Sequence, residues 1–139
     1  MIEFDNRTSL EVDEVFLNEI ASSLTNKNIE LIVTSDNEIK KLNYEYRGIE
    51  KPTDVLSFPY ENMPNAPLGS IVISSWHVQK IAKELGHEES DEFALLFIHG
   101  FLHILGYDHE TDSGEMRKKE VEIIKKFNLP ESLIVRTQG

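Results

Sequence analysis

Three histidines stand close together near the C-terminal third of the chain: His99, His103 and His109. Residues four apart on an α-helix lie on one face, so the imidazoles of His99 and His103 are one turn apart. Gly106 favours the left-handed backbone that ends a helix, and the chain can turn there to bring His109 towards the other two. Three neutral imidazoles are a good ligand set for zinc and leave a fourth position for a water that titrates near neutrality. We therefore predict that these histidines bind one Zn²⁺ per chain.

The spacing is that of the metzincin proteases, H-E-x-x-H-x-x-G-x-x-H, with one difference. Gly100 stands where such a protease carries its general-base glutamate. This favours a hydrolytic metal site that acts on something other than a peptide. A purely structural zinc is disfavoured, because closed sites usually hold four protein ligands and the chain has no cysteine. Histidine sites also accept nickel, copper and cobalt, so the ligands alone leave the metal open.

The length and composition are those of one globular domain over residues 1–139. The N-terminus lacks the apolar segment of a signal peptide, and no apolar run approaches the roughly 20 residues of a membrane-spanning helix. The absence of cysteine is consistent with a reducing compartment. We expect a cytoplasmic protein without a membrane partner.

The net charge of −11 argues against tight, nonspecific nucleic-acid binding, because phosphate contacts need Lys and Arg. The acidic excess lies in the flanks, however, since residues 36–83 contain six basic and six acidic side chains. A bound zinc ion would add two local positive charges. RNA therefore stays open as a substrate.

Hydrophobic periodicity and turn residues predict the order βαβαββααα. The predicted strands cover residues 1–5, 29–34, 55–58 and 68–73, and the predicted helices cover about 9–26, 35–47, 74–85, 90–105 and 113–127. Ser90 is the expected cap of the histidine helix, which is apolar all round from Phe93 to Ile98 and should be buried. The fold class is α+β, a small mixed β-sheet with packed helices around a buried metal-binding helix.

Three blocks of the chain resemble the YbeY family of bacterial endoribonucleases. The histidine stretch is similar to the family's H-G-x-L-H-x-x-G-Y-D-H motif at every fixed position. The second block is Leu42-Asn43-x-x-Tyr46-Arg47 followed by the run from Pro52 to Pro59, and the third is Leu68-Gly-Ser-Ile-Val-Ile-Ser74. The third block departs from the family at Ser70, where aspartate is common, so position 70 is left out of the predicted site.

The resemblance implies a zincin-like fold and a zinc-dependent endoribonuclease specific for single strands, which acts in 16S rRNA 3′-end maturation and ribosome quality control. It implies that His99, His103 and His109 are the metal ligands and that Arg47 is a catalytic residue. The expected partners are single-stranded rRNA and the small ribosomal subunit with its proteins, and DNA is not expected. From its chemistry, Arg47 would pair with the phosphate, because guanidinium matches phosphate oxygens in bidentate fashion.

Other interpretations stay open at this point. The chain could be a non-catalytic ribosome-associated zinc protein, which its acidic surface would suit, or another zincin-like metallohydrolase. Asp108 could orient a ligand or act as a base, and it could equally cap the turn after Gly106. His77 and His87 lack ligand spacing and are expected to be solvent-exposed.

Overall fold

Four strands and five helices follow one another in the predicted order in a computed structural model, which describes residues 1–61, 65–108, 113–131 and 133. The strands are Ile2–Asn6 (β1), Ile29–Thr34 (β2), Val55–Pro59 (β3) and Gly69–Ser74 (β4). The helices are Glu14–Leu24 (α1), Asp36–Arg47 (α2), Ser75–Leu85 (α3), Glu89–Ile104 (α4) and Glu115–Lys126 (α5).

The strands form one mixed sheet in the order β1-β2-β4-β3. Strands β1, β2 and β4 are parallel, and β3 pairs antiparallel with β4 at one edge. The parallel pairs are joined through helices, as parallel connections require. The predicted α+β class with a small mixed sheet is therefore confirmed.

The two faces of the sheet carry different helices, because successive side chains of a strand point to opposite faces. Leu31 and Ile71 belong to the main core, which also contains α1, α4 and α5 residues. Val72, the next residue along β4, packs instead with Ile39 of α2 and Leu56 of β3. Helix α2 thus covers one face of the sheet, and α4 lies under the other.

Helix α4 runs through the main core, as its all-round apolar sequence predicts. Every residue from Glu92 to Ile98 is buried, and the rings of Phe97 and Phe101 pack edge to face at 5.6 Å. The prediction that Ser90 caps this helix is wrong. The cap is Glu88, whose carbonyl accepts hydrogen bonds from the amides of Asp91 and Glu92, so Ser90 already lies in the first turn.

The predicted exposure of two further histidines is also wrong. The side chain of His77 is largely covered, with Nδ1 2.7 Å from Asp36 Oδ1. The side chain of His87 is 10% exposed, and its Nδ1 lies 3.7 Å from Oε1 of the buried Glu92. His87 is covered because of the left-handed turn at Gly86. After this turn the His87 amide donates a hydrogen bond to the Ala82 carbonyl, and the ring folds over the start of α4. None of the helices in the described ranges has the length and apolarity to cross a membrane.

Candidate active site

His99 and His103 lie on one side of α4 with their side chains half-buried, as the four-residue spacing predicts. Their ring centroids are 4.7 Å apart, and the two rings stand nearly perpendicular. The Nε2 atoms point at each other across 3.1 Å. The helix therefore brings two imidazole nitrogens to a common point.

The outer nitrogen of each ring is held by an oxygen atom. His99 Nδ1 lies 2.9 Å from Oε1 of the buried Glu120, and His103 Nδ1 lies 3.1 Å from the carbonyl oxygen of Tyr107. A carbonyl can only accept a hydrogen bond, and a carboxylate accepts as well. In neutral rings, both Nδ1 atoms therefore carry the proton, and both Nε2 atoms present a lone pair.

Two lone pairs that face each other at this distance repel unless a cation or a proton lies between them. Two nitrogens bound to one tetrahedral zinc at about 2.0–2.1 Å stand about 3.3 Å apart, close to the 3.1 Å observed. The donor atoms of His99 and His103, with their outer nitrogens fixed, fit a metal of this kind. The third predicted ligand, His109, lies outside the described residues. Within the described ranges no group of three His, Cys, Asp or Glu side chains could hold a metal ion.

The end of α4 sets the position of the carbonyl that holds His103. Gly106 has φ 102°, its amide bonds to the His103 carbonyl, and the Tyr107 amide bonds to the Leu102 carbonyl. This is a Schellman motif, in which a left-handed glycine closes the last turn. The same turn carries the Tyr107 carbonyl back to the His103 ring. The predicted helix end at Gly106 is confirmed.

Gly100 lies where α4 packs directly against the sheet. A Cβ atom there would stand 3.0 Å from Ile71 Cγ2, 3.0 Å from Ser57 Oγ and 3.2 Å from Val55 Cγ2. The Gly100 carbonyl also accepts a hydrogen bond from the Ser57 hydroxyl at 3.0 Å. Because α4 sits so close to β3 and β4, a larger residue at this position would have to push side chains of these strands aside.

A groove of about 650 Å³ runs along the edge strand β3. Strand β3 forms its floor, His99 and His103 reach it from the α4 side, and the end of α2 reaches it from the other face of the sheet. Its lining is Tyr46, Arg47, Thr53, Asp54, Val55, Leu56, Ser57, Phe58, Pro59, His99 and His103. Arg47, 52 residues before His99 in sequence, therefore lines the same groove as the histidine pair.

Arg47 is the last residue of α2 and is exposed. Gly48 follows in the left-handed conformation, with φ 70°, and ends the helix. Across the part of the chain that the structure describes, Arg47 forms no salt bridge. Its guanidinium thus lines the same groove as two metal-type ligands without an ion-pair partner among the described residues, an arrangement suited to a phosphate group.

Glu120 is the residue of this site that sequence reasoning missed. It is 2% exposed and lies on α5 among apolar side chains, one turn after Met116 and one turn before Ile124. A single carboxylate on the inward face of an amphipathic helix is the signal that could have identified it, because an unpaired charge is not buried without cause. Asp108 is half-buried just after Tyr107, and its role stays a prediction.

The chain is similar to known proteins over nearly its whole length. A family model described as Endoribonuclease YbeY matches residues 3–128. A protein of Sulfurimonas denitrificans named Endoribonuclease YbeY is 65% identical over 139 residues, which is the full length of both chains. Proteins of the same name from Nautilia profundicola and Helicobacter pylori are 63% and 55% identical and cover 99% of each chain.

The fold agrees as well. The solution structure of TM1509 from Thermotoga maritima superposes with a TM-score of 0.63 at 28% identity, and the match covers 91% of this chain and 89% of that one. The resemblance read from the three sequence blocks is confirmed. The chain therefore belongs to the endoribonuclease YbeY family, a family of enzymes that cleave RNA.

Proposed function

We propose that this protein is a zinc-dependent endoribonuclease that cleaves single-stranded RNA, with rRNA of the small ribosomal subunit as its substrate. His99, His103 and His109 bind the metal, and Arg47 binds the phosphate that is cleaved. The cellular role is maturation of the 16S rRNA 3′ end and ribosome quality control. Family membership supports the activity, and the resemblance read from the sequence supports the narrower role.

The observation that carries the metal assignment is the 3.1 Å approach of the His99 and His103 Nε2 atoms, with both outer nitrogens bound to oxygen acceptors. When bound, a zinc ion supplies Lewis-acid activation of water or of a phosphoryl oxygen. The protein's part is to orient the two imidazoles so that their Nε2 atoms converge. Glu120 and the Tyr107 carbonyl do this from outside the ligand pair.

Arg47 binds and orients the phosphate in this mechanism. Its planar guanidinium can donate two parallel hydrogen bonds to phosphate oxygens. Because it approaches from the α2 side of the groove, it would hold the phosphodiester between itself and the histidine pair. Charge that develops on the phosphoryl oxygens would be stabilised by the same two hydrogen bonds.

The test is cleavage of a single-stranded RNA that carries the 16S 3′ end, with zinc content measured on the same samples. Wild-type protein should cut the RNA and bind one zinc per chain. His103→Ala should be folded, should lose zinc and should not cut. His77→Ala is the matched control, because His77 pairs with Asp36 away from the groove, and it should keep both properties.

Other outcomes would redirect the assignment. Equal cleavage by wild type and His103→Ala would indicate a contaminating ribonuclease and remove the support for catalysis. Cleavage by neither, with zinc retained by wild type, would favour a non-catalytic ribosome-associated zinc protein. A peptidase assignment would need casein cleavage that His103→Ala abolishes, and Gly100 opposes it, since it stands where a peptidase carries its general-base glutamate.

A further inference from the structure

The groove contains an exposed aromatic side chain that the proposed cleavage chemistry does not use. Tyr46 lines the groove next to Arg47 and is 67% exposed. Exposure alone means little, because Tyr44 on the same helix is 57% exposed and does not line the groove. What distinguishes Tyr46 is its place beside the phosphate-binding arginine and its contact with a second ring.

The second ring is Phe58 of β3, which also lines the groove. The ring centroids of Tyr46 and Phe58 are 5.0 Å apart with the planes inclined at 56°. Phe58 is half-buried and packs on the small core under α2, so it is fixed by the sheet. Tyr46 therefore rests on an anchored ring, and most of its own surface stays exposed to solvent. Such a supported aromatic ring costs little entropy when it binds a flat ligand.

We propose that Tyr46, supported by Phe58, is a stacking site for an unpaired nucleobase of the RNA substrate. The proposal rests on the proposed ribonuclease function and extends it to the base next to the bound phosphate. Tyr46 and Arg47 are consecutive, so their Cα atoms are about 3.8 Å apart. A nucleotide whose phosphate pairs with Arg47 thus has its base within reach of Tyr46.

This site accounts for selection of single strands without reading of sequence. A base stacks on a side chain only when its face is free, and in a duplex both faces are covered by neighbouring pairs. Every base has such a face, so an aromatic platform tolerates any sequence. The low overall basicity of the chain is compatible with this mode, since part of the affinity comes from stacking rather than from phosphate contacts.

The test measures RNA binding by metal-free protein in chelator, where the RNA stays intact. A series of 10-nucleotide single-stranded RNAs carries one 2-aminopurine at successive positions, and fluorescence anisotropy and quenching are recorded. Binding of the wild-type protein should strongly quench the 2-aminopurine fluorescence at one position of the RNA. Tyr46→Ala should lose that quenching and bind about five- to a hundredfold more weakly. Tyr46→Phe keeps the ring, and its dissociation constant for the RNA should stay within about threefold of the wild-type value.

Tyr44→Ala is the matched control, with a tyrosine of similar exposure removed from the same helix two residues away, and it should bind like wild type. An RNA with an abasic site at the quenched position should bind as weakly to wild type as the intact RNA binds to Tyr46→Ala. The proposal is overturned if Tyr46→Ala retains both the quenching and the affinity, if the abasic RNA binds normally, or if wild type does not bind the RNA.

Cleavage of the same RNA with zinc restored separates this proposal from the proposed function. Cleavage by wild type together with an unchanged KM in Tyr46→Ala would refute the stacking site and leave the nuclease assignment intact. Specific quenching by wild type without any cleavage would support the stacking site and refute the nuclease assignment.

Discussion

The Nδ1 atom of His99 lies 2.9 Å from Oε1 of Glu120, a carboxylate that is almost completely buried on a different helix. The contact joins α4 to α5 at the position where α4 presents its two imidazoles. It sets the tautomer of His99 and restrains rotation of the ring, because a carboxylate accepts only from a protonated nitrogen. Hydrogen-bonded partners of this kind fix how a histidine presents its other nitrogen to a metal.

Replacement of Glu120 should therefore weaken metal binding. We expect Glu120→Gln to raise the zinc dissociation constant about 10- to 100-fold, since the neutral amide is a weaker acceptor and can present its NH₂ group to the ring. Competition with a chromophoric chelator measures the constant. Glu122→Gln is the control, because Glu122 is two residues away and mostly exposed. Equal zinc affinity in both variants would contradict a role for Glu120 in orienting His99.

Gly100→Ala should destabilise the protein although alanine favours helices. The helix gains about 1 kcal/mol from the change, but the new Cβ meets three side-chain atoms of the sheet at 3.0–3.2 Å. Overpacking costs about 1–3 kcal/mol, so we expect a net loss of about 1 kcal/mol in urea unfolding. Adding Ser57→Ala removes one of the three contacts and should relieve part of the steric loss in a double-mutant cycle. If Gly100→Ala were more stable than wild type, the side chains of the sheet would have moved aside without a loss of stability.

Arg47 should be needed for cleavage through the shape of its guanidinium as well as its charge. We expect Arg47→Ala to reduce kcat/KM about 100-fold, and Arg47→Lys to recover only part of this, since an ammonium group cannot form the bidentate pair. Lys51→Ala removes an exposed cation that does not line the groove and should leave the rate unchanged. Full activity of Arg47→Ala would refute its place in the mechanism.

The Asp91 carboxyl at the start of α4 should contribute a fall in the free energy of unfolding as the pH rises from acid towards neutrality. Burial raises the pKa of the Asp91 carboxyl, and Glu88 adds to the rise, while His87 opposes it. Between the unfolded pKa of about 3.9 and the raised folded pKa, the native state binds more protons than the unfolded chain. The unfolding free energy therefore decreases with pH across this window.

The Asp91→Asn substitution should remove this decrease in the free energy of unfolding with rising pH. We expect the variant to gain stability relative to wild type at pH 7 and to show a smaller gain, or none, at pH 3, as measured by urea unfolding at both values. Glu89→Gln removes one charge from the same helical turn at an exposed position and should not show this pH-dependent gain. An Asp91→Asn effect of the same size at both pH values would exclude the ionisation of Asp91 as the cause.

Local features of this chain could be read from the sequence because their causes are local. The spacing of His99 and His103 is set by the geometry of one helix, and Gly106 ends that helix through its own backbone preference. Short apolar runs bounded by turn residues predicted every strand within about one residue. The family blocks around Arg47 and the histidines indicated the family that the comparisons then confirmed.

The tertiary structure decided which distant residues meet. Arg47 and the two histidines line one groove because α2 and α4 lie on opposite faces of one sheet and both contribute residues to the groove along the edge strand β3, a relationship set by the packing of whole elements and absent from any local pattern. Glu120 faces His99 only because α5 packs on α4. His87 is covered because a left-handed turn folds it over α4. Helical and strand periods follow from backbone geometry within a few residues, whereas these contacts depend on how whole elements bury their apolar faces against one another.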